Sequence, residues 1–346
     1  MSGTGTSARN VLNPAKIGVR IAGTGSYVPP GKLTNADLMT MMDTNDEWIV
    51  QRTGIHERRR VDRAKGESTF TIGAEALKLA LADARLTPKD LDLIIVATMT
   101  SEMCCPATAC LIANAIQAGP CGTMDLNAAC SGFVYAMNVA HDLIKCGSYR
   151  TVAVVGADTL SELMDYSDNG RGTAIIFGDG AGAVVLRATD DVSKGIIAQS
   201  MHSDGSGWKE IYVPKCAADF PVNDEFAEHK LNVVQMHGST VFKFAVGTFP
   251  KLIEETLAKV DLKAEQIDMY LCHQSNLRIL HAARDRFGLP PEKLYINIDK
   301  YGNTVAATIP LCLDECRKAG TVRDGHKILM VAFGGGLTWG SSLWQL

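Results

Sequence analysis

The chain has 346 residues, 46% of them apolar, 6% aromatic and 21% charged, with a formal net charge of −4. A chain of that length buries roughly three-quarters of its unfolded surface, so it needs no covalent staples for a core, and it suggests two domains or one duplicated unit. The slight acidity leaves no basic footprint for DNA or RNA, and the aliphatic content argues against disorder.

Residues 1–15 are small, polar and aperiodic, and read as a flexible tail. IGVRIAGTGSYVPP, from Ile17, is a β-type run closed by glycine and proline, and Thr34–Asn35 offers a helix start ahead of ADLMTMM. Between Thr69 and Ala84, Ile72, Ala76, Leu79 and Ala80 recur at helical spacing. LDLIIVATMT then reads as a short strand covered on both faces, and a second helix spans about Pro106 to Ala118. TMDLNAA is a strand that turns into a helix, SGFVYAMNVAHDLIKCG, closed by Gly147. TVAVVGAD and TAIIFGDGAGAVVL read as further buried strands. A polar stretch from Met201 to Gln235 has no sustained period, and a loop of that length is usually a functional lid or wall. The second half repeats the order: helix from Val241, strand QIDMYLCHQ, helix LRILHAARDRFG, helix TIPLCLDECRKAG and the terminal KILMVAFGGGLTWGSSLWQL. LDLIIVA (91–97) aligns with IDMYLCH (267–273), and FGDGAGAVVL (177–186) with FGGGLTWGSS (333–342), which implies a duplicated βαβ-type unit. The expected division is a tail (1–15), a first half (16–190) and a second half (191–346).

No apolar leader, and no run near 18 apolar residues, points to secretion or to the membrane, so a cytoplasmic location is expected. The ten cysteines then read as free thiols, most of them small core residues. Neither GTG nor GDGAGA is followed by a helix, as a dinucleotide fingerprint requires. No CxxC pair or HExxH indicates zinc, and no cofactor is expected; Cys312 and Cys316 read as packing residues.

One cysteine differs. Cys130 sits where a strand turns into a helix, so unpaired N–H groups and the helix dipole there favour a thiolate. Its small neighbours, Ala128, Ala129, Ser131 and Gly132, would let a carbonyl approach the sulfur. His273 ends a buried strand and can present a neutral imidazole, Asn303 lies in a glycine turn before a helix, and Gly334–Gly336 could bring N–H groups to a reacting carbonyl. Taken singly, each also fits a structural role: an inert thiol, a hydrogen-bonded core histidine, a turn asparagine. Together they supply a nucleophile, two donors and an oxyanion loop.

From about Ile17 to Leu346 the chain resembles β-ketoacyl-acyl-carrier-protein synthase III of the thiolase-like condensing enzymes. The resemblance rests on GTGSYVPP, TNDEWIVQRTGIHERR, DLNAACSGF, NGRGTAIIFGDGAGA, CHQSNLRI, YGNTVAATIP and AFGGGLTWGS. It implies an internally duplicated, five-layered αβαβα fold and a homodimer. It further implies a decarboxylative Claisen condensation of an acyl-CoA starter with malonyl-acyl-carrier-protein, initiating fatty acid synthesis. In that reaction Cys130 carries the acyl group, the N–H groups of Cys130 and Gly335 form the oxyanion hole, and His273 and Asn303 hold the enolate. Trp48, Arg52 and Arg171 match positions that hold the CoA nucleotide, and Asn276 a position in the pantetheine channel. Lys243, Arg278, Arg284 and Arg286 would dock the acidic carrier protein.

Two positions depart from the family's pattern. Ser275 replaces the usual alanine of His–Gln–Ala–Asn, a change that should leave activity intact. Cys105 stands where many members have a phenylalanine reaching the acyl pocket across the dimer interface, so longer acyl groups are expected to fit. The rivals are a starter enzyme of a polyketide pathway using the same residues and, from another class, a non-catalytic acyl-CoA binder. A hydroxymethylglutaryl-CoA synthase-like activity would need a glutamate base that no motif supplies.

Overall fold

A computed structural model describes residues 16–216, 219–220 and 230–346 of the protein. The expected tail and part of the long loop (residues 217–218 and 221–229) lie outside the described residues.

Two sheets carry the fold, and they share one strand order. In the first, Gly18–Tyr27, Asp179–Thr189, Thr151–Thr159, Leu93–Ala97 and Gly122–Leu126 lie side by side, antiparallel for the first two pairings and parallel for the last two. In the second, Gly195–Ser203, Thr338–Gln345, Lys327–Gly334 and Met269–Cys272 repeat that sequence of pairings. A single parallel bridge from Tyr270 to Leu294 stands where the fifth strand would continue. The two motifs aligned in the sequence occupy equivalent strands, so the duplication is real at the level of topology.

The central strand Leu93–Ala97 is apolar and buried at every position because both of its faces are covered. Leu93, Ile95 and Ala97 enter one core with Val152 and Val154, while Ile94 and Val96 enter another with Ala153 and Val155. The core between the sheets holds helices Gly132–Lys145 and Thr308–Lys318. The outer faces are covered by Thr69–Ala84 and Thr108–Ala115 on one side, and by Gly238–Ala258 and Leu277–Arg286 on the other. These are the five layers. Each fully buried leucine or isoleucine in them contributes about 1.5–3 kcal/mol.

Three sequence expectations need correction. TAIIF is not strand: Arg171–Ala174 is a helical turn, and the sheet begins at Asp179. The run looked strand-like because it is buried, but its carbonyls are taken by other partners. Ile175 accepts from Arg58 Nη2 (2.5 Å) and Ile176 from the Asn303 N–H (2.9 Å). The cysteines are also less uniform than expected. Cys312 and Cys316 are buried packing residues as read, but Cys104, Cys146 and Cys216 are exposed, and Cys110 and Cys121 half-buried. Finally, the Met201–Gln235 stretch holds regular structure among its described residues, with Ile211–Tyr212 pairing with Gln235–Met236. Among the described residues no helix is long and apolar enough to cross a membrane, and no cluster of ligating side chains could hold a metal.

Candidate active site

Cys130 lies in a 3-10 turn (Ala129–Ser131) that opens the helix Gly132–Lys145. The turn is tight enough to hold Ala129 in the left-handed region at φ 46°, a conformation costing an alanine on the order of 1 kcal/mol. A second element closes over it from the far half of the chain. Gly334, at the end of strand Lys327–Gly334, packs so closely that a Cβ there would sit 2.7 Å from the Cys130 nitrogen.

His273 follows strand Met269–Cys272, its N–H bonded to the Val331 carbonyl at 2.8 Å. The ring is buried edge-on against Phe333, 5.5 Å between centroids, and its Nδ1 lies 2.8 Å from Thr308 Oγ1. The Thr308 hydroxyl has two acceptors in reach, Nδ1 and the Val305 carbonyl at 3.0 Å. Donation to Nδ1 leaves the imidazole proton on Nε2, the nitrogen left over for the cavity.

Asn303 is held by three of its four polar groups. Its N–H donates to the Ile176 carbonyl, its carbonyl accepts from Gly178 N–H at 3.0 Å, and its Oδ1 accepts from Val305 N–H at 2.8 Å. The side-chain NH2 therefore remains as the donor. Val305, which closes this turn, is a β-branched residue at φ 54°, a strained position close to the site.

These three side chains, from residues far apart in sequence, line one cavity of about 470 Å³ together with Gly334 and Gly335. Burial dominates the electrostatics of the two titratable groups at its base. Burial pushes the Cys130 thiol up to about 12, with the Asp158 carboxylate adding to the rise and the residue's own N–H opposing it. Burial alone pushes His273 down to about 3. Burial thus opposes the charged form of both groups, working against the thiolate that the helix terminus favours and against an imidazolium.

Asp158 is fully buried and accepts hydrogen bonds from the backbone of Met99 (2.9 Å), Thr100 (3.2 Å) and Ala306 (3.2 Å), and from the hydroxyls of Thr98 and Thr100 (both 3.1 Å). Burial still raises its carboxyl to about 6. It ties the strand end beside the nucleophile to the turn that follows Asn303. Asp158, Thr308 and Arg58 lie within TVAVVGAD, YGNTVAATIP and TNDEWIVQRTGIHERR, but nothing in the local pattern marks them as parts of the site.

Toward the mouth, Trp48 half-buries its ring on a helix capped by Asn45, with Arg52 Cζ at 4.7 Å and Arg171 Cζ at 5.1 Å from the ring centroid. Trp48 and Arg52 line the cavity, whereas Arg171 flanks it through Gly172 and donates to the Asp43 carbonyl at 2.5 Å. Asn276 lines it too, but its amide also works structurally: Oδ1 caps the helix Leu277–Arg286 by accepting from Arg278 N–H (2.9 Å), and Nδ2 donates to the Arg52 carbonyl (2.9 Å). Of the four basic residues, Lys243 and Arg278 are at the cavity, with Arg278 over the Phe242 ring at 4.6 Å. Arg284 and Arg286 lie away from it and pair with Asp285 and Glu254, both at 3.0 Å. Cys105 is exposed and does not line this cavity. A second cavity, about 640 Å³, opens behind Ala128–Ala129 and shares Ile211 and Gly335 with the first.

Comparison with known proteins supplies the family. The 3-oxoacyl-[acyl-carrier-protein] synthase III family matches residues 124–205, and the description of that enzyme's C-terminal part matches residues 257–346. The β-ketoacyl-[acyl-carrier-protein] synthase III of Caldanaerobacter subterraneus subsp. tengcongensis is 45% identical over 328 residues, covering 95% of this chain and 98% of the relative. The crystal structure of 3-oxoacyl-[acyl-carrier-protein] synthase III from Aquifex aeolicus superposes with a TM-score of 0.87 at 41% identity, covering 95% of this chain and all of that one. The priming β-ketosynthase of the R1128 polyketide pathway gives a TM-score of 0.86 at 32% identity, covering 97% and 99% of the two chains. The chain thus belongs to the β-ketoacyl-acyl-carrier-protein synthase III family, condensing acyltransferases built on the thiolase-like fold.

Proposed function

We propose that the protein condenses an acyl-CoA starter with malonyl-acyl-carrier-protein, with Cys130 as nucleophile and His273 and Asn303 as enolate donors. The observation that carries this reading is the convergence of those three residues on one cavity with Gly335. The Cys130 sulfur attacks the thioester carbon, the carbon–sulfur bond to CoA breaks, and the departing thiolate takes the thiol's proton. The N–H groups of Cys130 and Gly335 stabilise the oxyanion, each such donor being worth about 10²–10³ in rate. Malonyl-carrier protein then loses CO₂, and the electron pair left behind forms an enolate held by His273 Nε2–H and Asn303 Nδ2–H. Its carbon attacks the acyl group, and the Cys130 thiolate leaves and is reprotonated. A neutral imidazole and an amide suit this step, because both donate without a proton having to be moved first. The decarboxylation itself supplies the carbanion, so the reaction needs neither metal nor cofactor.

Trp48, Arg52 and Arg171 then hold the CoA nucleotide, Asn276 the pantetheine arm, and Lys243 and Arg278, with Arg284 and Arg286 further out, the carrier protein. We assign the protein to the cytoplasm and to a homodimer, and take residues 16–190 and 191–346 as its two halves. Support for the dimer comes from Gly122–Leu126, an edge strand of the first sheet with Met124 exposed, and from the exposed Met103, Cys104 and Cys105 nearby in sequence.

Intact-protein mass spectrometry with acetyl-CoA tests the assignment. Wild type and His273→Ala should both gain one acyl group, and only wild type should then decarboxylate malonyl-carrier protein. Equal loss of both half-reactions in the variant would overturn the roles. The polyketide reading draws on the likeness to the priming ketosynthase, and a panel of acyl-CoA starters separates it.

A further inference from the structure

In the run His273–Gln274–Ser275–Asn276 three of the four polar side chains are already bonded within the protein. His273 meets Thr308, Gln274 donates to the carbonyls of Cys272 (2.9 Å) and Tyr295 (3.2 Å) and accepts from Asn297 N–H (3.1 Å), and Asn276 bridges Arg278 and Arg52. Ser275 is the exception. Ser275 lines the cavity, and its oxygen is shielded from solvent and finds no hydrogen-bond partner among the described residues. A hydroxyl in that state destabilises the empty protein, whereas the alanine usual at this position would not. A group that arrives with the substrate can remove the penalty.

We infer that Ser275 is a substrate-binding residue of this chain, whose hydroxyl pairs with the amide of the pantetheine arm nearest the thioester. The inference rests on the proposed function, which threads that arm through this cavity. The position selects the amide. Ser275 is two residues from His273, at the reacting end, and one residue before Asn276, which anchors the helix carrying Arg278 at the mouth. Its own N–H is already spent on the His273 carbonyl (3.1 Å), so recognition falls to the side chain. CoA and carrier protein present the same arm, so the contact serves both half-reactions.

Two small thioesters isolate the contact: S-acetyl-N-acetylcysteamine carries this amide and S-butyl thioacetate lacks it. Wild type should acylate faster with the first, and Ser275→Ala should lose about 5- to 10-fold of that preference, the usual worth of one hydrogen bond. The rate with S-butyl thioacetate should be unchanged, and the melting temperature of the ligand-free variant equal to or above that of wild type. An undiminished preference for the amide in the variant, or a ligand-free variant that melts several degrees lower, would overturn the inference. Failure of wild type to acylate with either thioester would instead strike at the proposed function.

Discussion

Replacing Gly334 by alanine should disable the nucleophile without unfolding the protein. The new Cβ would lie 2.7 Å from the Cys130 nitrogen, 3.0 Å from its Cβ and 3.2 Å from its Cα. Ordinary contact for such atoms begins near 3.5 Å, so the shortest approach is roughly 0.8 Å too close. Neither side can yield cheaply: one is a strand end paired with Thr338, the other a turn already strained at Ala129. Most of the shift must therefore appear as displacement of Cys130 relative to His273 and Asn303. A misplacement approaching 1 Å at a reacting centre can cost about 10²-fold in rate, while overpacking costs stability about 1–3 kcal/mol. We expect acylation by acetyl-CoA, followed as acyl-enzyme mass against time, to slow 30- to 100-fold, by about the factor that misplacement implies. Gly247→Ala is the control. It lies within the helix Gly238–Ala258 with nothing within 4 Å of its new Cβ, so it should acylate normally and gain about 0.5–1 kcal/mol. Acylation by Gly334→Ala within threefold of wild type would show that the close approach does not set the sulfur's position.

Burial holds His273 down to about 3, below the ordinary imidazole value, so the ring is neutral near neutral pH. Malonyl decarboxylation by the enzyme should accordingly be flat between about pH 5.5 and 8, and a rate that falls as the pH rises through about 6.5 would show that a protonated ring is required. Linkage runs the same way: an imidazole with a depressed pKa favours the folded state fully above its unfolded value near 6.5, and that contribution fades as the pH falls toward 3. At the acyl end, octanoyl-CoA should compete well with acetyl-CoA, and Cys105→Phe should shift the preference toward acetyl. Faster turnover of acetyl-CoA by wild type, with an unchanged profile in Cys105→Phe, would remove Cys105 from the acyl pocket.

Much of the frame was legible in the sequence because it depends on local rules. The Thr69–Ala84 periodicity gives a helix with those same ends. The strand-to-helix turn at Cys130, the strand end at His273 and the glycine turn at Asn303 fall where the hydrophobic pattern breaks. What the pattern could not carry is anything created by two distant segments meeting. The Cys130 thiol is desolvated beneath a strand end some 200 residues away, and no local rule for helix termini contains that term. Thr308 reads as an ordinary helix start until His273 is placed against it. Arg58, in a charged ERR triplet, reads as solvated, yet it is fully buried and donates to Leu33, Asn35 and Ile175. That buried guanidinium takes the Ile175 carbonyl, as the Asn303 N–H takes that of Ile176, so TAIIF needs no sheet partner there.

The stitching of Asn303 into residues 176–178 bears on how such a protein could have descended from a duplicated ancestor. The nucleophile belongs to the first repeat and both proposed donors to the second, yet the pose of one donor is set by carbonyl and amide groups of the first. Neither repeat, restored to independence, would retain a usable half of the site. A substitution that shifts residues 176–178 in one repeat therefore displaces a donor that belongs to the other.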